Sequence, residues 1–169
     1  QRGADRLLHL QSRDFTFGYA LNVGIQEAVG RFIAIVSAHT RPLDPHWLGK
    51  LVEPLGDQNT AMVYGRQLGA AGSKFSEIQD MRRTFGMKRK VLRPPHFFAN
   101  NANSAIRKDL WEQHPFDESL LGLEDIEWAK YWMERSYQVV YEPSAALYHI
   151  HEETWWQVRR RYYREAVAA

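Results

Sequence analysis

The sequence contains no cysteine, which excludes disulfide bonds and thiolate metal sites and suits a reducing compartment. Long apolar runs are also missing. The longest, Phe32 to Val36, falls far short of the roughly 20 residues that a membrane-spanning helix needs. Gln1 to Leu10 is polar and charged and does not read as a signal peptide, so the expected location is cytoplasmic. Glycine and proline number 11 and 7 in 169 residues and are scattered, which excludes a collagen-like repeat. Neither a low-complexity tract nor an internal repeat is visible. What is present is 44% hydrophobic and 13% aromatic residues, enough to bury a core and to argue against a disordered chain. The length predicts one domain over 1–169.

The net charge of +2 conceals a segregation. Met81 to His96 carries Arg82, Arg83, Lys88, Arg89, Lys90 and Arg93 with no acid, whereas Phe116 to Ala129 carries Asp117, Glu118, Glu124, Asp125 and Glu127 with no base. Arg159, Arg160, Arg161 and Arg164 follow near the C-terminus. Segregated charge of this kind can draw an anion to one region and leave another to handle protons or cations, although each run alone reads rather as a solvated face.

Strand and helix patterns alternate, predicting an α/β domain with a largely parallel or mixed sheet. Leu21 to Val29 has helical apolar spacing, with Gly30 placed to end it. Phe32 to Val36 predicts a strand buried on both faces at the middle of the sheet. Ser37 to Arg41 then lies at its C-terminal end, where open α/β sheets bind ligands. Asp44-Pro45 opens a helix whose buried stripe is Trp47, Leu48, Leu51, Val52 and Leu55. Further strands are predicted at Ala61 to Gly65 and Asn103 to Ile106, and at Tyr137 to Tyr141 and Ala145 to His149, the last two separated by a turn at Pro143. Helices are predicted at Ser76 to Arg83, Lys108 to His114, Glu124 to Arg135 and Glu152 to Ala166. The glycine-rich and then basic stretch between Gly65 and His96 has the length of a lid or binding loop.

Several clusters carry candidate chemistry. Glu124 and Asp125 open a helix after a loop, where the helix dipole favours negative charge and a carboxylate can reach a cleft as a general base. His39, at the end of the apolar strand, can ligate a metal or donate to a phosphate oxygen. His149 and His151, two apart on a strand end, share a face; with His39 nearby they make three nitrogen ligands. Asn100, Asn101 and Asn103 exceed what one turn needs and suit sugar-hydroxyl or phosphate recognition. The terminal helix, with Trp155, Trp156, Arg159, Tyr162 and Tyr163 near one face, fits either core packing with extended arginines or an anionic membrane surface.

The order Phe17 to Asn22-x-Gly24, Ser37-Ala38-His39, Pro42, Trp47-Leu48, Asn103-Ser104-x-Ile106-Arg107, Phe116-Asp117-Glu118, Glu124-Asp125-x-x-Trp128-Ala129 and Tyr141-Glu142-Pro143 to His149 resembles the family 2 glycosyltransferases. The resemblance runs through nearly the whole chain. It implies a GT-A fold, a Rossmann-like mixed sheet flanked by helices, and transfer from a nucleotide-sugar donor with inversion at the anomeric carbon. By that resemblance Asp125 is the base that deprotonates the acceptor hydroxyl, with Glu124 beside it. Asn22, Gly24, His39 and Arg41 would then lie on the donor side, and Asn101, Asn103 and Trp128 on the acceptor side. The acceptor class implied is a saccharide or lipid-linked saccharide of cell-surface polysaccharide synthesis, met at the cytoplasmic face of a membrane, with no nucleic acid involved.

Two departures from the family pattern stand out. Where the family carries an acidic motif that holds a divalent cation, Mn or Mg, this chain has Ser37-Ala38-His39. Either His39 with His149 or His151 forms a nitrogen-ligand site, or His39 and Arg41 hold the diphosphate without a metal, since fixed cations do the same electrostatic work. The family's opening strand, helix and second strand have no counterpart in Gln1 to Arg13, so the chain is expected to be a C-terminal portion of a larger enzyme. A non-catalytic sugar- or nucleotide-binding domain, and a peripheral membrane module built on the basic loop and terminal helix, are the alternatives.

Overall fold

The computed structural model describes residues 4–70, 73–150 and 154–168. Helix α1 (Phe17–Glu27) is followed by β1 (Phe32–Val36), β2 (Thr40–Pro42), α2 (Trp47–Val52) and β3 (Thr60–Gly69). Next come α3 (Phe75–Thr84), β4 (Lys90–Leu92), β5 (Asn103–Arg107) and α4 (Lys108–Gln113). Helix α5 (Glu124–Met133), β6 (Gln138–His149) and α6 (Trp155–Ala168) complete the chain. Among the described residues these strands form one six-stranded sheet in the order β1-β5-β3-β6-β2, with β4 also paired to β6. The sheet is mixed, as expected, but mostly antiparallel: β3 and β6 are its one parallel pair.

Side chains alternate across the central strands. Met62 and Tyr64 of β3, Ile106 of β5, and Val139 and Tyr141 of β6 point to one face, where Ile25, Leu110, Trp111, Phe116, Trp128 and Trp132 from α1, α4, α5 and the α4–α5 loop cover them. Val63, Ala105 and Val140 point to the other face, beneath Leu51 of α2 and the adjacent Leu55. The two helical layers therefore hold the sheet from both sides, which fixes where each strand end emerges.

Several elements differ from the sequence expectation for identifiable reasons. The α1 helix starts at Phe17 rather than Leu21, because the Thr16 hydroxyl accepts the Tyr19 N–H at 3.1 Å as an N-cap. Its end at Glu27 leaves Val29 fully exposed. Strand β1 lies first in the strand order rather than in the middle, and it buries only Ile33 and Ile35. Helix α2 begins at Trp47, with Asp44 accepting the His46 N–H at 2.8 Å, and Leu48 is exposed rather than part of the stripe. Pro143 does not divide two strands. It falls within the continuous β6, where the register with β3 shifts between Gly65 and Gln67, opposite Glu142 and Leu147; such irregularities are where a sheet tolerates proline. Gly65 permits the close approach there, since a Cβ on it would meet the Ala145 carbonyl at 2.2 Å and the Asn103 side-chain amide at 2.3 Å.

Candidate active site

The C-terminal ends of β1, β3 and β6 and the start of β5 meet at one edge of the sheet, through the pairs Val36 with Asn103 and Gly69 with His149. The loop before β5 is the centre of this region. Ser37 N–H donates to the Ala102 carbonyl at 3.2 Å, which joins the end of β1 to that loop. One residue earlier, the Asn101 backbone N–H donates to Oδ2 of Asp125 at 2.9 Å. The carboxylate of α5 is thus tied to the loop that borders the Ser37–Arg41 turn.

Asp125 is oriented by a local conformational choice. Leu123, just before α5, adopts left-handed backbone angles (φ 64°, ψ 18°), an arrangement that costs an L-residue roughly 1–2 kcal/mol. It turns the chain so that Glu124 and Asp125 occupy the first turn of α5, where the helix dipole and free N–H groups favour carboxylates. Oδ1 of Asp125 accepts the Ile126 N–H at 2.8 Å. Glu124 is buried, with 7% of its surface exposed, and receives the Asn101 side-chain amide at 3.5 Å.

Burial raises the pKa of both carboxyls. Asp125 is pushed from 3.8 up to about 6, first by loss of solvent and second by the neighbouring Glu124 charge, against the lowering effect of its backbone N–H partners. Glu124 is raised by burial in the same way. A carboxylate that titrates near neutrality, anchored through one lone pair of each oxygen, keeps the remaining lone pairs for a proton; this is the equipment of a general base.

On the other side of the loop, the Asn100 side-chain oxygen accepts the Gln67 amide at 2.7 Å and the Ala102 N–H at 3.0 Å. Gln67 Oε1 lies 2.7 Å from Nδ1 of His149. The His149 ring stacks on His39 with centroids 4.8 Å apart, and the His39 ring is within 3.2 Å of the Ser37 hydroxyl. An unbroken series of contacts thus runs from Asp125 through the 100–102 loop and Gln67 to the two imidazoles. Gln67 was not picked out as a site residue by sequence, since it lies just past the predicted strand Ala61 to Gly65. Arg41, on β2, is exposed and holds its guanidinium 5.4 Å from the Tyr148 ring.

Three predicted site residues are occupied by the fold itself, and a fourth, Gly24, stands exposed on α1. Asn22 is buried: its amide donates to the Phe116 carbonyl at 2.8 Å and to Glu118 at 2.9 Å. Its oxygen accepts from Trp111 at 2.8 Å and from Phe116 N–H at 3.1 Å, so no polar atom remains for a donor. Gly24 lies within α1 with open space where a Cβ would stand, so nothing there demands a glycine. Asn103 is wholly buried and bonded to the Arg66 and Ala145 carbonyls and to the Trp47 indole, which rules out acceptor contact. Trp128 is likewise fully buried, its indole N–H donating to the His114 carbonyl at 2.7 Å, and has no surface to offer an acceptor.

The expected convergence of His39 and His149 is observed, while His151 lies outside the described residues. Among the described residues no group of three or more His, Asp or Glu side chains is placed to hold a metal ion. Two imidazoles, one with its Nδ1 against Gln67, fall short of the three protein ligands of a catalytic zinc-type site. These residues therefore do not by themselves fit a divalent cation, and no chemical step is routed through one. Two open grooves of the surface, 360 Å³ beside α2 and 580 Å³ beside Tyr137, are lined by none of these residues.

The mixed sheet and its flanking helices are those of the GT-A fold, and solved structures bear this out. A mannosyltransferase from Pyrobaculum calidifontis, in complex with GDP-Man and Mn²⁺, is similar with a TM-score of 0.61 and 17% identity, over 86% of this chain and 40% of that one. GalNAc-T7 with UDP, GalNAc and Mn²⁺ is similar with a TM-score of 0.59 and 18% identity, over 80% of this chain and 30% of that one. The chain thus spans less than half the length of either protein. The family model for glycosyl transferase family 2 matches residues 6–114, more than half of the sequence, and the chain belongs to that family. Glu124 and Asp125 lie beyond the matched span. No curated protein matches the sequence.

Proposed function

We propose that this chain carries the catalytic base of an inverting glycosyltransferase. Asp125 takes the proton from an acceptor hydroxyl as that oxygen attacks the anomeric carbon of a nucleotide sugar, and the nucleoside diphosphate departs from the opposite face. The observation that carries this reading is the Asp125 carboxylate, partly buried, raised to about 6 and fixed by the Asn101 N–H to the loop that borders the Ser37–Arg41 turn. A base with that pKa is mostly ionised at neutral pH and still proton-hungry enough to be useful.

Asn101 donates its backbone N–H to Asp125 and its side-chain amide to Glu124, which supports a role for it in meeting the acceptor or the transferred sugar. His39 and Arg41, both exposed in the Ser37–Arg41 turn, supply donors and positive charge for the leaving diphosphate. The ligands of the two similar structures, GDP-Man in one and UDP with GalNAc in the other, favour a nucleotide sugar as the donor class. We take the acceptor to be a saccharide or lipid-linked saccharide of cell-surface polysaccharide synthesis, met at the cytoplasmic side of a membrane.

A thermal-shift panel of nucleotide sugars, with and without Mn²⁺ or Mg²⁺, tests the donor assignment on the complete protein. A rise in melting temperature with one nucleoside diphosphate sugar, and a smaller rise in the His39→Ala, Arg41→Ala variant, is the expected outcome. No shift with any donor, with or without metal, overturns it.

A further inference from the structure

We propose that the outer face of α6, together with the start of α3, is a docking surface for an anionic lipid bilayer. Successive side chains of a helix are about 100° apart. Trp155, Arg159, Tyr163, Trp156, Val167 and Arg160 therefore fall within an arc of roughly 140° on α6, and no position in that arc is acidic. The protein-facing edge is elsewhere on the helix. Val158 is 6% exposed, and the Tyr162 hydroxyl donates to Asp80 of α3 at 3.1 Å. The sequence alone left open whether these aromatics pack into the core. They do not: Trp155 is 70% exposed, Trp156 62% and Tyr163 73%.

The patch continues onto α3. Lys74 holds its ammonium 5.3 Å from the Trp155 ring, and Phe75, the next residue, is 77% exposed. Arg159 holds its guanidinium 5.1 Å from the Trp156 ring. Isolated apolar residues on a surface need no explanation, but a contiguous group of this size marks an interaction site. The chemistry selects the occupant. Tryptophan and tyrosine, with an apolar body and a polar tip, partition to the headgroup level of a bilayer. Arginines interleaved with them pair with anionic headgroups, whereas the centre of a protein–protein interface is depleted in charge. A helix of this kind lies in the interfacial plane and does not span; no described helix is long and apolar enough to cross a membrane.

The test is sedimentation of the 169-residue chain with vesicles of phosphatidylcholine alone or mixed with phosphatidylglycerol. Binding is expected only with the anionic vesicles, weakening as salt is added. Arg159→Gln with Arg160→Gln should lower the partition constant about thirtyfold, each arginine contributing about fivefold near an anionic surface. Brominated acyl chains should quench the fluorescence of bound wild-type protein but not of Trp155→Ser with Trp156→Ser, since Trp111, Trp128 and Trp132 are buried and the half-buried Trp47 packs on α2 against the Leu51 cluster. These are exposed positions, so unchanged circular dichroism will accompany the losses. Absence of binding to anionic vesicles, equal binding to neutral ones, or wild-type binding by both double variants would overturn the proposal. None of these outcomes bears on donor binding, so the membrane inference and the transferase reading fail separately.

Discussion

Replacing Asp125 by Asn should make the protein more stable at neutral pH. The folded-state pKa of this carboxyl is raised from 3.8 to about 6, so folding favours its protonated form. Stability associated with that proton is complete below about pH 4 and is lost as pH rises through about 6. At neutral pH the ionised carboxylate therefore costs the fold about 3 kcal/mol. Asparagine removes that cost but offers one accepting oxygen where the carboxylate accepts from both Asn101 and Ile126 N–H groups, a loss of about 1 kcal/mol. The net gain of about 2 kcal/mol corresponds to about 4–8 °C in melting temperature for a chain of this size. Below about pH 4, where Asp125 is itself neutral, the gain is gone and only the lost acceptor remains, so the variant should be about 1 kcal/mol less stable than wild type. Thermal melts of both proteins across this pH range read the effect. A variant that is less stable than wild type at neutral pH, or an offset independent of pH, would refute the assignment of Asp125 as a desolvated charge.

Three further outcomes are expected. The apparent kcat/KM for glycosyl transfer should rise as pH passes through about 6, because only ionised Asp125 accepts a proton; a flat profile across that range argues for another base. Asn22→Ala should destabilise the fold by about 3 kcal/mol or more in denaturant titrations, since Trp111 Nε1 and both backbone groups of Phe116 lose a buried partner; a stable variant with weakened donor binding would restore Asn22 to the donor side. Gly65→Ala should cost about 3 kcal/mol in the same assay, as its methyl would stand 2.2 Å from the Ala145 carbonyl, and a neutral effect would contradict the close pairing of β3 and β6.

The residues that could be read from sequence were those whose role is local. Helix α5 and its acidic first turn announced themselves by charge and periodicity, as did the short apolar strand Phe32–Val36 and the basic aromatic α6. What the sequence concealed depends on non-local pairing. The alternate burial of β1 follows from its place at one side of the sheet, which a five-residue apolar run does not encode. The continuity of β6 past Pro143 depends on the register shift against β3 at Gly65 and Gln67.

In the site the same division holds. Glu124 and Asp125 were found as acids opening a helix and Asn101 as one of an amide cluster before a strand, and they do come together. Asn22, Asn103 and Trp128 stand in motif positions equally well, yet their atoms are spent on partners 14 to 96 residues away. Burial and hydrogen-bond satisfaction, which a motif does not record, separate the two groups. Gln67 was missed for the opposite reason: its significance lies wholly in bridging Asn100 to His149.

Whether Asp125 is the catalytic base is tested most directly by single-turnover glycosyl transfer with Asp125→Asn in the complete enzyme, alongside donor affinity measured on the same preparation. Loss of most transfer with donor binding retained is the predicted result. Transfer at the wild-type rate by a folded Asp125→Asn enzyme would contradict it.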